Sequence, residues 1–189
     1  MAVFIKLLDE PVSESIVERM LFMAEPEEGR SKSIYFNGYG GKWCHRFADW
    51  LAMNAGQPKD MLPNTANCGK GIVWFASDEH SSSFFFRHEE HKTRMLKAYS
   101  ALVHLSPTLT TTEAASLPSP GDYVYFRWKN AASSVNVSHV GIVAAVDEDR
   151  LVTWEGNAGS KVAQHTYSLS DAQIVGYGRL KYKAPECSH

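Results

Sequence analysis

Ser138-His139-Val140-Gly141-Ile142-Val143-Ala144-Ala145-Val146, then Asp147-Glu148-Asp149, then Leu151-Val152-Thr153-Trp154, reads as a strand, a turn and a returning strand. β-Branched and aromatic residues fill both runs, and the acidic triplet between them is a turn-forming cluster. Tyr123 to Phe126, Val162 to Tyr167 and Val175 to Tyr182 have the same composition, with Gly156-Asn157-Ala158-Gly159 and Ser168 to Ala172 as further turns. The second half of the chain is therefore expected to be a meander of antiparallel strands, entered through a Thr, Ser and Pro loop from Pro107 to Pro120.

Upstream the period changes from two to 3.6. Ile16, Val17, Met20, Leu21 and Ala24 recur at helical spacing, and Ser15 with Glu18 has the form of a capping box. From Cys44 to Ala55, Phe47, Trp50 and Leu51 face one side, Asp49 and Asn54 lie off it, and Gly56 stands where a glycine ends a helix. A glycine-rich loop, Asn37-Gly38-Tyr39-Gly40-Gly41, leads into Trp43-Cys44. Gln57 to Lys70 reads as loop, Ile72 to Ala76 is too short to type by periodicity, and His80 to Val103 reads as a solvated helix towards its end. Helices first and meandering strands second predict an α+β fold with an antiparallel sheet. With neither repeat nor linker in view, residues 1–189 are expected to form one domain with a core from about 13 to 182.

Composition narrows the function classes. With 19 basic and 21 acidic residues the net charge is −2, so no overall basic field exists to hold nucleic acid or an anionic membrane. A hydrophobic share of 44% with 21% charged residues excludes a disordered or collagen-like chain. No apolar run approaches the ~20 residues of a membrane span, so no insertion is expected. No small-residue cleavage site follows the first apolar patch, which argues against a Sec signal. The cysteines Cys44, Cys68 and Cys187 are odd in number and widely spaced, which fits neither a disulfide framework nor a zinc knuckle. Cys68 and Cys187 either pair or stay buried, and their spacing does not choose.

A thiol is a nucleophile only as thiolate, and the partial positive charge at a helix N-terminus favours that anion. Cys44 has that placement. Its base must come from elsewhere in the chain, and His139, at a strand start, alternates onto one face with Gly141 and Val143. The base in turn needs a group that fixes its tautomer. Antiparallel pairing returns the end of the next strand to the level of His139, which lands Glu155 beside it, with Asn157 close enough to share the role. Taken singly, the cysteine reads as core, the histidine as a bonded strand residue and Glu155-Gly156-Asn157 as a turn. Together, and in this order, they are much more specific.

Trp43-Cys44-His45-Arg46-Phe47-Ala48-Asp49-Trp50, Ser119-Pro120-Gly121-Asp122-Tyr123-Val124-Tyr125-Phe126, Ser138 to Val143 and Trp154-Glu155-Gly156-Asn157 resemble the successive motifs of CHAP domains, the cysteine, histidine-dependent amidohydrolases/peptidases. Ile174 to Arg179 resembles the last strand of one subgroup of that family. The resemblance implies a papain-like fold and a phage endolysin-like hydrolase that cleaves amide bonds of bacterial peptidoglycan, as an endopeptidase or as a muramoyl-alanine amidase. It implies Cys44 as nucleophile, His139 as base and Glu155 and Asn157 as the residues that orient it. Asn37 or Tyr39 is a candidate for the oxyanion site, and Tyr35, Tyr39, Trp43 and Trp154 for stacking on substrate. It further implies a monomer, made in the cytoplasm and reaching the wall by holin-type release or other export. The rival readings are a thiol amidase acting on a small peptide conjugate and a non-catalytic wall-binding or virion module.

Neither cofactor nor metal is expected. Glu25, Glu27 and Glu28 lack the alternating Asp and Asn ligands of the calcium loop that some CHAP lysins carry. The histidines of His88-Glu89-Glu90-His91 are three apart, whereas the H-E-x-x-H zinc motif needs four.

Overall fold

The structure is a computed structural model that describes residues 15–31, 41–77, 82–104, 109–111, 117–132 and 136–182. Asn37, Tyr35, Tyr39, His80 and Cys187 lie outside the described residues.

Helix α1 (Ile16–Ala24) starts with the capping box that its sequence predicts. Ser15 Oγ accepts from the Glu18 N–H at 3.2 Å, and Glu18 Oε2 accepts from the Ser15 N–H at 2.7 Å. It buries Ile16, Met20 and Ala24 and packs on α2 (Cys44–Asn54), where Arg19 Nε donates to the Ala55 carbonyl at 2.7 Å. Gly56, with φ 108°, ends α2 as expected.

Helix α3 (Cys68–Ala76) begins earlier than its apolar run. Asn67 caps it by accepting from the Lys70 N–H at 3.0 Å, so the preceding loop ends at Asn67 and not at Lys70. Gly69 and Gly71 lower the intrinsic helicity of this stretch, and packing against the sheet replaces it. An added Cβ on Gly71 would overlap His45 Nε2 and Tyr125 Oη, so the absence of a side chain lets α3 approach both α2 and the sheet.

Seven strands form one sheet in the order β2-β1-β7-β3-β4-β5-β6. They are β1 (Ser83–Phe86), β2 (Thr110–Thr111), β3 (Tyr123–Phe126), β4 (His139–Asp147), β5 (Arg150–Ala158), β6 (Lys161–Ser168) and β7 (Ile174–Arg179). All pairs are antiparallel except β1 with the two-residue β2. The α+β expectation holds, with three corrections. Strand β1 lies between α3 and α4 (Glu89–Ala98), so the stretch expected to be helical towards its end makes a strand before that helix. Its Phe84-Phe85-Phe86 run shows no polar alternation because Phe84 and Phe86 are buried while Phe85 lies under Arg179 on the opposite face. Strand β5 runs through Gly156 and Asn157 to Ala158, so the reversal is made by Gly159-Ser160 alone. Strand β7 stops at Arg179 rather than Tyr182.

Both faces of the central strands are apolar. Tyr123, Tyr125, Val140, Ile142 and Trp154 face the helices and meet Phe47, Leu51, Ile72 and Phe75. Val124, Phe126, Val143, Leu151, Ile174 and Tyr177 form a second cluster, against which Trp128, Tyr167 and Leu169 pack. Each fully buried large side chain stabilises the fold by about 1.5–3 kcal/mol. No helix of the described residues is long and apolar enough to cross a membrane.

Candidate active site

Cys44 is the first residue of α2, and its N-cap Trp43 supplies no side-chain cap bond. The first-turn N–H groups therefore stay directed at the space in front of the helix. Two features fix this helix end. Gly156 of β5 carries no side chain where Trp43 and Phe47 press on the strand, so α2 lies directly on the sheet. Behind it, His45 Nε2 hydrogen-bonds Tyr125 Oη at 2.8 Å, His45 Nδ1 lies 3.3 Å from Asp49 Oδ2, and Tyr123 Oη donates to Asp49 Oδ1 at 3.2 Å. Asp49 is thus buried rather than turned to solvent, because two neighbours satisfy its carboxylate.

His139 opens β4. The preceding Ser138 is tied to the end of β3, its N–H and Oγ both donating to the Phe126 carbonyl and its Oγ accepting from the Trp128 N–H. Trp128 covers the imidazole at a centroid distance of 5.5 Å. His139 Nε2 donates to Glu155 Oε2 at 2.8 Å, which leaves Nδ1 as the ring nitrogen available to the Cys44 thiol. Glu155 Oε1 accepts from Thr153 Oγ1 at 2.7 Å and from Tyr167 Oη at 2.9 Å. A carboxylate that is 1% exposed is thereby held by three donors, and each carboxylate oxygen has a partner.

The electrostatics follow from this packing. Burial opposes charge on His139, but its hydrogen bonds to Cys44 and Glu155 outweigh that and raise it to about 9. Burial likewise works against ionised Glu155, and the His139, Thr153 and Tyr167 bonds override it to lower the carboxyl. The Cys44 thiol is held well below its usual value, chiefly by its hydrogen bond with Cys68 and then, against burial, by His139. The arrangement stabilises a thiolate beside an imidazolium.

Of the residues expected at the site, Cys44, His139 and Glu155 are brought together. Asn157 sits two residues beyond Glu155 at a left-handed backbone position, φ 62°, and makes no hydrogen bond to His139 among the described residues. Trp43 and Trp154, at 1% and 5% exposure, are core residues, so neither offers a ring face to a substrate. Trp43 instead packs edge-on against Phe47 at 6.4 Å. Three residues around the site were not expected there. Thr153 was identifiable by alternation, two positions before Glu155 on the same strand face, whereas Tyr167 and Cys68 arrive from other elements. His91 Nε2 hydrogen-bonds the Ala172 carbonyl at 3.0 Å, which gives that histidine a structural partner.

The family model described as CHAP domain matches residues 34–157, well over half of the chain. Among solved structures the chain is similar to a crystal structure of Ly7917, at 22% identity over 87% of this chain and 62% of that one, with a TM-score of 0.44. A structure titled as Ly7917 with the hydrolyzing product of MDP is 19% identical over the same shares, with a TM-score of 0.46. The chain therefore spans 62% of the length of these solved chains. No curated protein matches it. The family match takes in Cys44, His139 and Glu155 together, and by it this chain belongs to the CHAP domain family.

Proposed function

We propose that this chain is a cysteine peptidoglycan hydrolase, and that it works through a thioester acyl-enzyme. The observation that carries the reading is the imidazole of His139 held between the Cys44 thiol and the Glu155 carboxylate. His139 takes the Cys44 proton and the thiolate attacks the scissile carbonyl carbon. The resulting oxyanion is held by the Cys44 backbone N–H, one of the first-turn donors of α2. The C–N bond breaks as the imidazolium returns its proton to the leaving amine, and water, activated by the neutral imidazole, then cleaves the thioester.

We favour a peptide bond of the stem or cross-bridge as the one cut. Burial of Trp43 and Trp154 removes the two indoles on which a sugar would have stacked beside the nucleophile. Mass spectrometry of digested purified walls tests this. Split cross-links with alanine still on muramic acid are expected. Peptide-free glycan strands would identify an amidase, and release of neither product with hydrolysis of a small amine conjugate would promote the thiol-amidase rival.

The raised histidine sets an alkaline limit. Between the lowered Cys44 midpoint and about 9 the site holds thiolate and imidazolium, so kcat/KM should form a bell whose falling limb lies near 9. The same shift acts on stability. A folded value raised from 6.5 to about 9 contributes stability fully present below 6.5 and lost as pH rises through about 9. Kinetics and thermal unfolding over this range should move together, and a falling limb near the ordinary histidine value would contradict the assignment of His139.

A further inference from the structure

Cys68 takes no part in the steps of hydrolysis set out above, yet its Sγ is 3.8 Å from the Cys44 Sγ, within hydrogen-bond range for sulfur, and both side chains are buried. The approach is built into the packing. Cys68 is the first residue of α3, one turn before Gly71, and Gly71 meets His45, the residue after Cys44, without a side chain between them. At Gly69 an added Cβ would overlap the Tyr99 hydroxyl, so this helix end is closely packed on both sides. Two helix N-termini thus converge on one pair of sulfurs.

We propose that Cys68 is a positioning residue for the hydrolysis: its Sγ–H donates a hydrogen bond to the Cys44 thiolate, holding that anion in place and favouring its formation. The inference rests on the reading of Cys44 as the nucleophile. Only one proton is shared out between the two sulfurs, because two adjacent buried thiolates would repel each other. Cys44 faces His139 and Cys68, with His45 and Tyr125 nearby, while Lys42, Tyr99 and Tyr125 act on or feel Cys68. Of these neighbours, Cys68 lies within hydrogen-bond range of the Cys44 sulfur. The directions agree: Cys44 is lowered, and Cys68 is raised well above the ordinary thiol by its bond to Cys44 and by burial. The device supplements the histidine. His139 removes the Cys44 proton and carries it to the leaving group, whereas Cys68 keeps its own proton throughout.

The test is the pH dependence of alkylation by iodoacetamide, followed peptide by peptide in the mass spectrometer for wild type, Cys68→Ala and Cys68→Ser. In wild type, Cys44 should be alkylated with the lower midpoint and Cys68 should stay unmodified until well above it. Cys68→Ala should move the Cys44 midpoint upward by about one pH unit, which is tenfold less thiolate at a fixed pH below it. Cys68→Ser, whose hydroxyl also donates, should restore most of the shift. A Cys44 midpoint unmoved in Cys68→Ala, a serine variant no better than alanine, or a wild-type Cys68 that is alkylated before Cys44 would each overturn the proposal. The wild-type comparison stands even where the alanine variant fails to fold. Wall clearing across pH is read in parallel: a protein that alkylates as expected and clears no wall keeps the role of Cys68 towards the thiolate and loses the peptidoglycan reading.

Discussion

Cys44→Ala should lose wall-clearing activity by about four orders of magnitude or more while keeping its fold, because the acyl-enzyme needs the Cys44 sulfur as its nucleophile. Removing one buried sulfur costs only about 1 kcal/mol of packing, and α2 stays fixed by His45, Asp49 and Phe47. His139→Ala should be as inactive, and the double variant no worse than either single one, since the pair acts as a unit. Turnover on purified walls, together with circular dichroism and thermal unfolding, checks all three variants. If the alanine variant retained more than a few per cent of turnover with an intact fold, Cys44 would lose its role as nucleophile.

How much of this site is legible in the sequence depends on whether a residue is placed by local pairing or by packing between distant elements. His139 and Glu155 are placed by pairing. A short acidic turn joins β4 to β5, so period-two alternation and antiparallel return bring the two side chains together, and they meet at 2.8 Å. Gly141 assists, since an added Cβ there would meet the Glu155 side chain at 2.7 Å. Cys68 is placed by packing. Nothing in Cys68-Gly69-Lys70-Gly71 signals that its glycines seat α3 on His45, and the glycines themselves mask the helix. The burial of Asp49 escapes helical periodicity for a similar reason. A carboxylate off the apolar stripe of α2 is turned inward by Tyr123, a partner 74 residues away. The same limit applies to Trp43 and Trp154, whose aromatic character fits a substrate platform or a core equally well until their exposure is known.

Glu155 separates charge from geometry in the orientation of the base. Glu155→Gln keeps the shape: the amide oxygen can accept from His139 Nε2–H, and the hydroxyls of Thr153 and Tyr167 can turn to accept from the amide nitrogen. What it removes is the negative charge that helps hold His139 at about 9, so the falling limb of the pH profile should move below 9 towards the ordinary histidine value. At neutral pH the loss should be about 10- to 100-fold in kcat/KM, the imidazolium being less stabilised as it forms. Glu155→Ala should lose about 10²- to 10⁴-fold, because the ring is then also free to turn and to change tautomer. Asn157→Ala is the control and should stay within about twofold, within the small effects expected where no bonded partner is lost, since Asn157 makes no hydrogen bond to His139. Steady-state rates over the alkaline range for the three variants decide the matter. A Glu155→Gln profile that overlays the wild type, with Asn157→Ala impaired, would transfer the orienting role to Asn157.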